Sequence, residues 1–145
     1  MKLILQRVTC ASVCVGEEEI ANINRGILVL FGVEKGDGGD QTSFLADKTL
    51  NLRVFPDDRG KMNLSCIDIG GDILVVSQFT LAGDCSHGRR PGFDRAADPG
   101  TARTLYEGYV KILNRSGLKV AMGRFAADMK VQSVNDGPAT FLLER

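Results

Sequence analysis

The sequence predicts an α/β (α+β) fold: a mainly antiparallel or mixed β-sheet curling toward a barrel, with two packed helices. Three observations carry this. Apolar, β-branched runs of strand length outnumber helix-length amphipathic runs by about three to one. Most connections are hairpin-short, which favours antiparallel pairing. Two runs, Ile27 to Val33 and Asp72 to Val76, are apolar almost throughout, as strands covered on both faces are.

Taken in order, Lys2 to Val8 and Ala11 to Val15 read as two extended segments, and Gly16 to Glu19 turns the chain into a third, Ile20 to Asn24. Arg25-Gly26 leads into the central strand Ile27 to Val33. A loop, Glu34 to Asp40, precedes a helix predicted from Gln41 to Leu52, with Asp40 as its cap and Phe44, Leu45, Thr49 and Leu52 on one face. Strand, glycine loop and helix is the order of phosphate-binding loops. Yet Gly36-Asp37-Gly38 lacks the third glycine of GxGxxG, no GxxxxGK[ST] is present, and Asp37 and Asp40 would repel a phosphate, so a plain surface loop is expected.

Arg53 to Leu64, turning at Pro56 to Gly60, reads as a β-hairpin. Gly70-Gly71 breaks the chain before the strand Asp72 to Val76. Ala82 to Pro99 is a long, polar, basic loop of the kind that usually carries function. The best helix follows, capped by Asp98, with Pro99 in its first turn, an apolar stripe from Ala102 to Leu113, and a stop at Gly117. Lys119 to Met122, Met129 to Val134 and Ala139 to Leu143 complete the strands. With 145 residues, 43% of them hydrophobic, the chain fits one compact domain spanning 1–145.

Composition excludes several function classes. Eighteen basic and eighteen acidic residues cancel, so a nucleic-acid partner has to be gripped by a local patch. Four cysteines without CxxC spacing and a single histidine, His87, argue against a disulfide framework or a zinc site, and no metal or cofactor is expected. No signal peptide or membrane span is evident, so a soluble, cytoplasmic protein is expected.

The candidate chemistry lies at the end of the strand entering Ser77-Gln78-Phe79-Thr80-Leu81. Ser77 and Thr80 are hydroxyls with no ionisable neighbour in sequence. A Ser-His-Asp arrangement would need His87, ten residues on in a loop. Otherwise the hydroxyls satisfy backbone groups at a strand end, or backbone amides near Phe79 and Thr80 stabilise an oxyanion. Asn135-Asp136-Gly137-Pro138 reads by itself as a turn between two strands, although a bond preceding proline can also be cis at a cost of only about 0.5–1 kcal/mol. Arg89, Arg90 and Arg95, with Phe93 among them, are either a solvated loop or a grip on RNA phosphates with an aromatic to stack on.

Ser77-Gln78-Phe79-Thr80-Leu81 together with Asn135-Asp136-Gly137-Pro138-Ala139-Thr140 resembles the D-aminoacyl-tRNA deacylases. The likeness runs the length of the chain, through Leu5-Gln6-Arg7-Val8, Gly32 to Asp37, Leu45 to Lys48, Gly60 to Ser65, Gly88 to Pro91 and Gly123 to Met129. It implies a homodimeric enzyme that hydrolyses the ester between a D-amino acid and the terminal adenosine of tRNA. It further implies that Ser77, Gln78, Phe79 and Thr80 form the catalytic floor, and that Gly137-Pro138 is cis and reaches the partner's site to reject L-amino acids. Met129, Arg89, Arg90 and Phe93 would complete the substrate contacts. The family is thought to use the RNA's own 2′-hydroxyl to help activate water.

The resemblance also implies that Gly137 and Pro138 present main-chain carbonyls to the substrate's α-amino group, a wall that would read the α-carbon and ignore the side chain. Broad acceptance of D-amino acids and poor discrimination against glycine are therefore expected. The chain departs from the family pattern at His87, Gly92 and Ala139. Two other readings stay open: a general esterase or amidase with a Thr80 or Ser77 nucleophile, and a non-catalytic module that holds tRNA ends.

Overall fold

A computed structural model describes residues Met1–Arg145. Its organising element is a long strand, β1 (Lys2–Val15). Along one edge β1 pairs antiparallel with β3 (Gly26–Gly32) through its first half and with β2 (Glu18–Ile23) through its second. Its other edge is covered by β8 (Lys130–Glu144), also antiparallel. The strand predicted before Ser77 is β6 (Asp72–Ser77), which runs parallel to β3 and to β7 (Val120–Met122). The sheet is thus mixed. Because β2 comes round to touch β6 and β7, it is nearly closed into a barrel.

Two expected breaks are absent. Residues 2–8 and 11–15 form one strand, whose register slips on either side of Val8. The segment read as a turn between two strands is a bulge inside β8. Gln6 faces Thr140 and Val8 faces Asn135, so two steps along β1 match five along β8. The four residues between, Asp136 to Ala139, stand against Arg7 alone and leave the ladder. A continuous partner strand overrides the turn chemistry of Asn-Asp-Gly-Pro.

Alternation along β3 and β6 divides the core. Ile27, Val29, Phe31, Ile73 and Val75 join Leu3 and Leu5 beneath the helices, whereas Leu28, Leu74 and Val76 meet Val8, Val13 and Ile23 on the other face. Burying each such side chain contributes about 1.5–3 kcal/mol. The helix α2 (Pro99–Asn114) follows its sequence signals: Asp98 Oδ1 accepts from the Thr101 amide at 3.0 Å, and Tyr106, Tyr109, Val110 and Leu113 are buried.

The helix α1 (Gly39–Asn51) differs from expectation. Its cap is Gly38, whose amide donates to the Gln41 side chain at 3.0 Å, and Asp40 lies within the first turn. The buried face is Thr42, Leu45, Ala46 and Thr49, while Phe44 is 39% exposed beside Lys48 and Arg145. Threonine tolerates burial because it is hydrogen-bonded: Thr49 Oγ1 donates to Leu45 O at 2.9 Å and lies 2.6 Å from the Tyr109 hydroxyl. The hairpin forms as β4 (Phe55–Pro56) and β5 (Met62–Leu64). No helix is long and apolar enough to cross a membrane.

Candidate active site

β6 ends at Ser77, opposite Phe31. The Gln78 amide donates to Phe31 O at 2.7 Å, and the chain then winds into a short 3-10 helix, Phe79–Ala82. The amides of Phe79 and Thr80 open that turn, where a helix leaves its first donors unpaired. Gly32 makes the close turn fit, because a β-carbon there would lie 2.8 Å from Leu81 Cβ and 3.0 Å from Gln78 O.

Neither candidate hydroxyl has a base. Gln78 Nε2 donates to Thr80 Oγ1, and His87 Nδ1 sits 2.7 Å from Ser86 Oγ in the basic loop. No ionisable side chain hydrogen-bonds to Ser77 or Thr80, so the nucleophile-with-base arrangement is not assembled.

Ser77, Gln78 and Phe79 form one wall of an apolar cavity of about 530 Å³. Ala96, Ala97, Pro99 and Ala102 supply a second wall of small residues, and Phe125, Ala126, Met129 and Val131 a third. The volume is that of a small-molecule site. Ala126 has φ +61, a left-handed conformation that a non-glycine residue adopts rarely and that recurs at binding sites.

The other sequence-predicted residues divide. Met129 joins the cavity. Phe93 packs on Phe79 with ring centroids 5.0 Å apart. Thr80 lies outside the cavity lining, on its exposed rim. Arg90 lines a separate polar hollow of about 200 Å³ with Asp84, His87, Asp94 and Arg95. There the Ser86 hydroxyl and amide hold the Asp84 carboxyl below its usual range. Arg89 is exposed.

Gly137 and Pro138 are exposed and joined by a cis bond. Neither lines the cavity beside Ser77, to which β8 contributes Val131 and no residue beyond it.

Arg7 is the residue that sequence reasoning missed. Buried at 8% exposure, it donates through Nε to Asp136 O at 3.1 Å and through Nη1 to Val54 O at 2.6 Å; Nε also stands 3.2 Å from Asp136 Oδ2. A β-carbon on Gly137, whose φ is +118, would collide with the Arg7 guanidinium. Asn135 secures the far side, accepting from the Ala139 amide at 3.0 Å and donating to Thr140 Oγ1 at 2.8 Å. The available signal was a lone arginine inside an apolar strand.

A nearly closed mixed barrel with helices on one face thus holds a hydroxyl-bearing strand end over an apolar cavity of small-molecule size. The chain belongs to the D-Tyr-tRNA(Tyr) deacylase family, whose model matches residues 4–144. It is 55% identical to the D-aminoacyl-tRNA deacylase of Pelobacter propionicus over the whole of both chains. It is 58% identical to that of Syntrophotalea carbinolica, over 99% of this chain and 97% of the relative. Among solved structures, a c-Myc DNA unwinding element binding protein superposes with TM-score 0.94 at 42% identity, covering 100% of this chain and 99% of that one. A probable eukaryotic D-amino acid tRNA deacylase shares the fold, with TM-score 0.85 at 16% identity over 98% of this chain and 97% of that one.

Proposed function

We propose that this enzyme hydrolyses the ester joining a D-amino acid to the terminal adenosine of tRNA, and spares the L ester. The observation that carries the reading is the absence of any base beside Ser77 or Thr80 in a family whose members deacylate tRNA. An aminoacyl ester is already activated. Positioning the carbonyl carbon, with the Phe79 and Thr80 amides donating to its oxygen as negative charge develops, supplies much of the acceleration required. Water attacks that carbon with help from the RNA's 2′-hydroxyl, the 3′-oxygen departs with a proton, and free D-amino acid and tRNA are released.

In this reading the apolar cavity beside Ser77, Gln78, Phe79 and Met129 receives the terminal nucleoside. Arg89 and Arg90 meet phosphates, and Phe93 backs the wall formed by Phe79. A second copy of the chain brings Gly137 and Pro138 to the Ser77–Thr80 floor, a reading supported by their lying outside the lining of their own chain's cavity. Their main-chain carbonyls take the substrate α-amino group and leave no room for an L side chain. A thousandfold preference corresponds to only about 4 kcal/mol, within reach of steric exclusion. Glycine has no side chain to exclude, so glycyl-tRNA is hydrolysed as well.

The test is deacylation of D-Tyr-tRNA and L-Tyr-tRNA side by side. Selective loss of the D ester supports the proposal. Loss of both indicates a general esterase, and binding without loss of either indicates a module that only holds tRNA ends.

A further inference from the structure

Arg95 belongs to the basic loop, yet its surroundings set it apart from Arg89 and Arg90. Its Nη2 stands 3.0 Å from Glu34 Oε1, just beyond the end of β3. That carboxylate oxygen is shut off from water and makes no aligned hydrogen bond; charge alone satisfies it, from Arg95 and from Lys2 Nζ at 3.4 Å. Main-chain bonds continue the junction: the Lys35 amide donates to Arg95 O at 2.9 Å, and the Ala97 amide to Val33 O at 3.1 Å.

The strap that these contacts hold is a wall of the cavity. Ala96 and Ala97 line it, the Ala96 amide donates to Phe93 O at 3.0 Å, and Phe93 in turn packs on Phe79.

We infer that Glu34 and Arg95 form a latch that fixes the Phe93–Ala97 strap, and that they are positioning residues for the bound nucleoside rather than contacts to RNA phosphates. The inference rests on the function proposed above. Two small alanines offer little packing of their own, and the loop before them is held only at its base, where the Asp84 and Gly92 amides each donate to the other's carbonyl at 2.8 Å. Beside the two main-chain bonds to Val33 and Lys35, the ion pair is the strap's one side-chain tie to the end of β3. The Glu34 carboxylate is 16% exposed and the Arg95 side chain 64%, so the pair is sheltered on the carboxylate side and open to salt on the other.

The experiment compares Arg95→Ala, Arg95→Lys, Glu34→Gln and the double variant Glu34→Gln/Arg95→Ala with wild type. The substrates are D-Tyr-tRNA and the D-tyrosyl ester of adenosine, which carries no phosphate. Arg95→Ala and Glu34→Gln are expected to raise KM about tenfold on both substrates, with kcat within about twofold. Arg95→Lys keeps wild-type KM, and the double variant is no worse than the worse single, as residues acting through one contact require.

Hydrogen exchange at the Ala97 amide gives a readout independent of turnover. It quickens in Arg95→Ala and Glu34→Gln and not in Arg95→Lys. An effect on the tRNA substrate alone would make Arg95 a phosphate contact and overturn the latch, as would unchanged KM with unchanged exchange. Wild-type protein inactive on both substrates would refute the deacylase reading, and the Ala97 exchange would still decide the latch.

Discussion

Arg7, buried within β1, donates through Nε to the main-chain carbonyl of Asp136, 3.1 Å away across the sheet. One side chain thus grips the bulge that carries Gly137 and Pro138, while its other arm binds Val54 O in the loop after α1.

Replacing Arg7 by methionine keeps most of the buried stem and removes the grip. It leaves Val54 O without its side-chain donor and Asp136 without its partner, at a cost of about 1–3 kcal/mol in stability. A larger effect is expected on selectivity: the D-to-L rate ratio should fall at least tenfold, read by parallel deacylation assays. A ratio left at the wild-type value would show that the bulge keeps its shape unaided.

Thr80→Ala and Ser77→Ala should each lower kcat by less than about a hundredfold, since neither hydroxyl is placed beside a base. A covalent nucleophile would lose roughly three or more orders of magnitude. Single-turnover kinetics on D-Tyr-tRNA separate the two outcomes.

Gly32→Ala forces a methyl group against Leu81 Cβ and Gln78 O. The neighbours are main chain and the base of a side chain, so the turn itself has to move. We expect kcat to drop at least tenfold while the melting temperature falls by only a few degrees, as for a displacement of about an ångström at a site. Equal losses for D-Tyr-tRNA hydrolysis and for stability would assign Gly32 to the core alone.

The two core strands were legible because their apolar runs have no competing reading, and α2 because cap, proline and stripe agree. The unity of β1 and of β8 was not. Their irregularities around Val8 and Gly137 look, one residue at a time, like strand ends, and only the pairing of the two strands shows otherwise. The face of α1 was legible in part: Leu45 and Thr49 point inward as expected, whereas Phe44 is exposed and Thr42, bonded to Gly38 O, is buried with Ala46. Within the site, the polar strand end stood out, whereas Ala96, Ala97 and Ala126 carry no sequence signal of the cavity they line.

Alkaline pH should weaken the fold from about pH 9 upward. Burial pushes the Cys66 thiol up to about 12 and raises the phenols of Tyr106 and Tyr109 above their ordinary value of 10. A group whose folded pKa is raised stabilises fully below its unfolded pKa and ceases to do so as pH climbs through the folded one. Denaturant titrations at rising pH should therefore show falling midpoints. The tyrosinate absorbance of these two residues, the only tyrosines in the chain, should stay silent until unfolding. Tyrosinate appearing gradually in native protein would contradict the burial. Thiol reagents should label the exposed Cys85 quickly and the buried Cys66 only after unfolding.

The proposed division of the site between two copies is tested most directly by complementation. A variant with the floor impaired, Gln78→Ala, and one with the bulge blocked, Gly137→Val, are unfolded together and refolded as a mixture. Random pairing makes half the dimers mixed, each with one intact site of two, so activity on D-Tyr-tRNA should return to about a quarter of wild type. Mixed dimers verified by mass that remain inactive would contradict the account, as would a fully active monomer.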